Sequence, residues 1–411
     1  MFPGWNRFPG RFAIVLVLLT LLLLVLEHVN GRFWLNDFRV YYGAAQSLLH
    51  GDTLYGVAHG LDSGTFKYAP IMAMAYVPLA LLPYSVAATI QYVLIVAAFI
   101  WSVLLADRLV RTHVLGGKVA GYGPVFLTTL VVVVHLHREL HLGNINVLLL
   151  WILLLGLDRM LSGRSGTAGI LIGLAILAKP HFVVLLPLLL LRDQRRACIT
   201  AVVTVILGLV LPAAFLGVEH TIQLHRDWFA VMAGHNASLI YTGGDAHNSV
   251  DTIYSFLHRT VLHHFTSPST LEVAVILGCI ALLFAAYVLR NRMIERNNAG
   301  MAGHIVIEYF LLLALVPSIT LTDTNHFLFS LPAIMLLCHR LIPRPRSRWL
   351  LLVALLLLFA YGGNWADALG DLSDRMVHFG VLGIANIGLV LLVALHFFVG
   401  GSNQKERTAS T

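Results

Sequence analysis

Apolar runs of roughly bilayer length recur along the whole chain, and they constrain the fold more than any other feature. A surface helix of a soluble protein carries one apolar stripe, whereas these runs are apolar all round. They cover 12–29, 68–83, 85–106, 120–138, 144–160, 166–178, 181–192, 197–216, 271–289, 303–321, 326–341, 348–361 and 378–399. Crossing a bilayer takes about 20 such residues, and several runs are shorter. Inside hydrocarbon the backbone must satisfy its own N–H and C=O groups, which a helix does. The pattern predicts an all-α polytopic membrane protein of about 12 to 13 transmembrane helices, with the span boundaries set by hydropathy.

Composition agrees. Charged residues make up 11% of the chain, hydrophobic residues 58%, and mean hydropathy is +0.82. A soluble protein carries about 25% charged residues. The net charge of +7 is mostly arginine, since Lys occurs only at Lys67, Lys118, Lys179 and Lys405. Basic clusters with interleaved aromatics are missing, so no nucleic-acid partner is expected. Cys198, Cys279 and Cys338 lie in or beside apolar runs without metal-ligand spacing, and they read as structural thiols. Arg7 and Arg11 precede a first run too long for a signal peptide core and without a small-residue cleavage site. The expectation is a retained helix with a cytoplasmic N-terminus in a plasma (bacterial inner) membrane.

Basic loops set the orientation. Arg159/Arg164, Arg192/Arg195/Arg196, Arg290/Arg292/Arg296 and Arg340/Arg344/Arg346/Arg348 read as cytoplasmic. Residues 1–400 then form one integral membrane domain, with a cytoplasmic tail at 401–411. Two long loops, 30–67 and 217–270, face the extracytoplasmic side. Arg108–Lys118 would fall on the wrong side if both 68–83 and 85–106 crossed. Pro70, Pro78 and Pro83 make 68–83 the candidate re-entrant segment.

Long polar loops on one face direct attention there. In the first loop Asp37 precedes a helical pattern in which Phe38, Tyr41, Tyr42, Ala45, Leu48 and Leu49 share a face, an interfacial amphipathic helix. Asp37 reads as its N-cap or as a general base, and one carboxylate can serve both. Lys67 either snorkels to the interface or binds an anionic phosphate. His135, His137, Arg138, Glu139 and His141 form a polar ring, with Arg138 and Glu139 a possible pair. HEXXH spacing is missing and no Cys supports a metal there. Asn144 and Asn146 open a helix and could bind sugar hydroxyls. Lys179 and His181 flank Pro180 where two short spans meet, a natural phosphate site. Asp323-Thr-Asn325-His326 is either a polar turn or a phosphate contact. The chain has neither a Walker A loop nor a D-x-D motif, so a cytoplasmic nucleotide-sugar donor is not expected.

These residues together resemble glycosyltransferase family 87, the polyprenyl-phosphate-mannose-dependent α-mannosyltransferases. The matching pieces are Asp37-Phe-x-x-Tyr41-Tyr42-x-Ala-Ala with Gly51-x-x-Leu-Tyr55, Phe66-x-Tyr68-x-Pro70, Gly143-Asn144-x-Asn146, Gly169-x-x-x-Gly173 leading to Lys179-x-His181, His247-Asn248-Ser249, and Asn325-His326. The resemblance implies a C-type membrane glycosyltransferase bundle whose extracytoplasmic loops carry short amphipathic helices. It implies a β-linked mannosyl (or related hexosyl) phosphate on a polyprenol as donor, a glycolipid or glycan acceptor, inversion at the anomeric carbon, and no metal or cofactor. Asp37 would be the base. Lys179, His326, Lys67 and His181 would hold the donor phosphate. Arg39, Tyr41, Tyr42, Tyr68, Asn144, Asn146 and Asn248 would contact the sugar or acceptor. The alternative class is a transporter or flippase of a polyprenyl-linked glycan, for which internal repeats and mid-membrane charges would be expected. No repeat is evident, and the polar residues gather at outer helix ends.

Overall fold

The computed structural model describes residues 8–61, 64–117, 121–241, 253, 270–295, 301–319, 324–340 and 347–400. Among them every regular element is helical, and one isolated antiparallel bridge joins Ala58 to Thr65. Among the described residues five helices are long and apolar enough to cross a membrane, or six if a bent pair counts as one span. Five shorter apolar helices accompany them. The all-α membrane expectation is borne out.

The sequence reads as one domain, and the helices group into two compact units. The first comprises 1–105, 136–183 and 194–237, the second 106–135, 184–193 and 238–411.

In the first unit α1 (Phe8–Val29) and α9 (Arg195–Val210) keep most of their apolar side chains outward. Water would penalise such a surface, and lipid does not. After α1 the chain turns into α2 (Asn36–His50), which lies on α3 (Pro70–Ala80). α3 has 11 residues, about 16 Å of helix, too short to cross. That supports the re-entrant reading of 68–83. α4 (Tyr84–Leu109) follows and runs into a π turn at Val110–Val114. α5 (Gly123–Leu142) and α6 (Asn146–Leu161) meet at a tight turn on Gly143.

α7 (Ser165–Ala178) packs closely on α9. A Cβ on Gly169 would lie 2.3 Å from the Ala197 carbonyl oxygen, and one on Gly173 2.6 Å from Thr204 Cβ. Small residues four apart thus admit the neighbouring backbone. α7 stops at Lys179, ahead of Pro180, which opens a 3-10 turn to Val184. The expected break is where the sequence placed it. α10 (Pro212–Leu216) leads to α11 (Val218–Tyr241). The first part of the 217–270 segment is therefore a helix rather than an extended loop.

The second unit holds α8 (Leu185–Leu191), α12 (Thr270–Glu295), α13 (Met301–Ile319), a 3-10 segment Thr324–Ser330, α14 (Leu331–Arg340), α15 (Arg348–Gly362), α16 (Ala366–Leu369), α17 (Asp371–His378) and α18 (Val381–Gly400). α17 and α18 are bent by 57°. In its core Asn386 Nδ2 donates to the Ala314 carbonyl and to Ser318 Oγ, each at 2.8 Å, and its Oδ1 accepts from Ser330 Oγ. Arg192 is buried and donates to Glu308 at 2.7 and 2.5 Å. Asp107 binds both Arg111 and His339. Arg192, expected as a cytoplasmic anchor, is thus also an internal ion-pair residue.

Candidate active site

Asp37 sits in the first turn of α2 and is half-buried. It is not the cap. The residue preceding the helix is Leu35, left-handed at φ 44°, with no capping side-chain bond. A non-glycine residue there is uncommon and costs on the order of 1–3 kcal/mol. Leu35 is buried against the α5–α6 turn. Gly143, at φ 68°, explains the fit: a Cβ there would lie 2.9 Å from Phe38 Cβ and 3.0 Å from Leu35 Cβ. Only glycine satisfies both the backbone and the contact. Gln91 Nε2 donates to the Gly143 carbonyl at 3.1 Å and fixes the turn from α4.

The turn delivers Asn144 to Asp37. Its Nδ2 donates to Asp37 Oδ2 at 2.5 Å, and its Oδ1 accepts the Ile145 N–H at 2.6 Å. Two residues on, Asn146 is fully buried. Its Nδ2 donates to Glu139 Oε2 at 2.9 Å, and its Oδ1 accepts from Lys179 Nζ at 2.5 Å. Glu139 Oε1 accepts the Val147 N–H at 3.0 Å, which satisfies a donor that the start of α6 cannot satisfy itself. Lys179 comes from the end of α7 and is 6% exposed. A buried ammonium needs a counter-charge, and Glu139 lies within its electrostatic range.

Lys67 reaches the same region from the segment before α3. Burial lowers its pKa below the ordinary lysine value, and the nearby Asp37 carboxylate offsets part of that. Trp228 of α11 holds the segment, its Nε1 donating to the Lys67 carbonyl at 3.0 Å. The Tyr55 hydroxyl donates to the Tyr68 carbonyl at 2.7 Å. The Tyr41 and Tyr68 hydroxyls are 2.9 Å apart, and the Tyr76 ring lies 5.1 Å from Tyr41. Burial, with the charge of Asp37 added, raises the Tyr41 pKa well above its ordinary value, so it stays a neutral hydroxyl.

Asp37, Tyr41, Lys67, Tyr68, Asn144, Asn146 and Lys179 are therefore gathered in one unit. His181 adjoins Lys179, its ring 4.6 Å from Phe182 and its Nε2 buried without a hydrogen bond. Arg39 and Tyr42 turn elsewhere. The Arg39 guanidinium stacks 4.4 Å over Tyr84, and the Tyr42 hydroxyl donates to the Leu82 carbonyl. Both fasten α2 to the α3–α4 corner. His326 belongs to the second unit, its Nδ1 3.1 Å from Asn325 Oδ1. Asn248 and Asp323 lie outside the described residues.

Sequence reasoning missed Glu139, read there as a partner of Arg138. Arg138 is exposed and Glu139 is buried. The available signal was its place seven residues before Asn146, across a glycine turn. Gln91 and Trp228 act through contacts distant in sequence and left no local signal. Among the described residues no group of three or more His, Cys, Asp or Glu side chains is arranged to hold a metal ion.

Comparison with known proteins identifies relatives. A polyprenol-phosphate-mannose-dependent alpha-(1-2)-phosphatidylinositol pentamannoside mannosyltransferase of Mycobacterium tuberculosis (strain CDC 1551 / Oshkosh) is 30% identical over 145 residues, 34% of this chain and 32% of that protein. The chain thus matches about a third of that relative's length. Among solved structures, ArnT from Cupriavidus metallidurans bound to undecaprenyl phosphate aligns with a TM-score of 0.46 at 15% identity, over 97% of this chain and 78% of that one. Its apo state aligns at 0.37 and 14% identity, over 91% and 76%. The model of glycosyltransferase family 87 matches residues 66–317, more than half of the chain. The protein is a multi-pass membrane protein that belongs to glycosyltransferase family 87.

Proposed function

We propose that the protein transfers mannose from a polyprenyl-phosphate-mannose to a glycolipid or glycan acceptor at the extracytoplasmic face of the plasma membrane. The observation that carries this reading is the fixed carboxylate of Asp37, 2.5 Å from Asn144 Nδ2 and close to the Lys67 cation. Lys179 is held through Asn146 on the same turn. A base and two cations together suit attack by a hydroxyl on a sugar phosphate. The mycobacterial relative's dependence on polyprenol-phosphate-mannose supports the donor class.

Asp37 accepts the acceptor hydroxyl proton as its oxygen attacks the anomeric carbon. The bond between that carbon and the phosphate oxygen breaks, and its electron pair leaves with the polyprenyl phosphate. Attack from the face opposite the leaving group converts a β-phosphate into an α-mannoside. Lys179 and Lys67 stabilise charge on the departing phosphate. His181 is a further phosphate ligand. Tyr41 and Tyr68, with neighbouring Tyr76, line the approach as neutral hydroxyls and rings. Both substrates are membrane-bound, so encounter is confined to two dimensions and orientation is favoured.

Helix length and charge support the extracytoplasmic side. With α3 re-entrant, α4 runs from outside to inside, and Arg108 and Arg111 become cytoplasmic along with the later basic loops. Asp37, Lys67, Asn144 and Lys179 then all stand at extracytoplasmic helix ends.

The test uses purified protein in liposomes, radiolabelled β-mannosyl phosphate polyprenol and an extract of membrane lipids. The expected product is labelled glycolipid sensitive to α-mannosidase. No transfer, or a β-linked product, would contradict the proposal.

A further inference from the structure

We infer that Glu139 is a positioning residue for the donor phosphate, acting through Asn146 on Lys179; this rests on the lipid-phosphate reading above. An asparagine amide has a donating and an accepting end, and which end faces a lysine decides between attraction and repulsion. Glu139 is fully buried, and both of its oxygens accept, from Asn146 Nδ2 at 2.9 Å and from the Val147 N–H at 3.0 Å. A carboxylate accepts only. It therefore compels Asn146 to turn its NH2 toward Glu139 and its oxygen toward the Lys179 ammonium, 2.5 Å away.

The same residue anchors the turn by its backbone. The Glu139 carbonyl accepts the Gly143 N–H at 2.8 Å and the Asn144 N–H at 3.3 Å. One residue thus sets the turn that brings Asn144 to Asp37 and Asn146 to Lys179. Asn144 is oriented in the same manner by the Asp37 carboxylate, which accepts its NH2. The two asparagines form a matched pair, each with its amide direction dictated by a carboxylate.

Glu139→Gln keeps the shape and breaks the logic. A glutamine must present its NH2 to one of two donors, Asn146 Nδ2 or the Val147 N–H. The first choice favours a flipped Asn146 that offers its own NH2 to Lys179. The second leaves two donors opposed at the start of α6.

The experiment is a double-mutant cycle on affinity for undecaprenyl phosphate, the leaving group's chemical class, with native protein, Glu139→Gln, Lys179→Ala and the double variant in detergent. Each single variant is expected to bind roughly 10-fold or more weakly, the scale of one hydrogen bond to a charged group. The double variant should bind no more weakly than Lys179→Ala, because the same interaction has already gone. A purely structural role would make the two losses multiply, and that result overturns the inference. Native-like binding by Glu139→Gln overturns it too. Should Glu139→Gln fail to fold, Asn146→Ala takes its place in the cycle, with the same coupling expected and the same multiplying loss against it. Native binding with multiplying losses sinks the relay alone. Failure of the native protein to bind undecaprenyl phosphate sinks the lipid-phosphate reading and the relay with it.

Discussion

Two buried cations in this protein are held in different ways. In the second unit Arg192 and Glu308 touch directly, with two hydrogen bonds between side chains 2% and 0% exposed. In the first unit Lys179 is bonded to Asn146, a neutral amide that is bonded in turn to Glu139. A guanidinium in contact with a carboxylate fork has its charge answered by that fork. An ammonium bonded to an amide whose other end is held by a carboxylate has its direction set through that amide. The first arrangement suits a fixed joint between helices, the second a group that is to meet an incoming phosphate.

The difference predicts separate phenotypes. Arg192→Ala removes the guanidinium bonded to the buried Glu308 carboxylate and should cost about 3–5 kcal/mol. Thermal unfolding in detergent should show it as the largest loss of stability among these variants. Lys179→Ala should instead reduce transfer more than it lowers the melting temperature. Equal melting losses in the two variants would break the comparison.

Gly143→Ala comes next. The added methyl meets Phe38 and Leu35, and the backbone is left-handed. A cost of about 1–3 kcal/mol is expected from overpacking, with transfer lost as α2 is pushed off the turn. Asn144→Ala should be milder in stability and sharper in rate. It removes the donor on Asp37, and kcat should fall about tenfold or more, the scale of one charge-assisted bond.

The smallest effect concerns pH. On the proposed mechanism it is the protonated form of Lys67 that meets the donor phosphate, and burial lowers its pKa. Transfer should therefore decline in alkaline solution at a pH below the ordinary lysine value of about 10.4. Lys67→Arg should remove that decline, because a guanidinium stays charged. The stability sign is consistent: between the folded pKa and the unfolded one the unfolded chain binds more protons, so this residue's contribution to stability rises with pH there. An alkaline limb unchanged in Lys67→Arg would assign it to another group.

Much of this was legible in the sequence. The apolar runs gave the membrane bundle and Pro180 the break beside Lys179, whereas Asn144 and Asn146 read only as helix-opening residues and their contacts with Asp37 and Lys179 came from the fold. Other features depend on tertiary contacts. Asp37 had the composition of a cap, but the chain enters α2 through a left-handed Leu35, and the carboxylate is used on Asn144. The polar ring around His137 did not show which member turns inward, because that depends on where α6 begins. Polar residues of 217–241 read as loop, and Trp228 and Leu224 bury one stripe of a helix instead. The length of α3 was obscured by flanking apolar residues.

The central claim is that Asp37 is the base. The direct test compares mannose transfer from labelled polyprenyl-phosphate-mannose by native protein and Asp37→Asn, with melting temperature measured alongside. The account predicts an unchanged melt and a rate lower by about 10²–10⁴-fold, the usual contribution of a positioned base. Transfer at the native rate by a folded Asp37→Asn protein would contradict it.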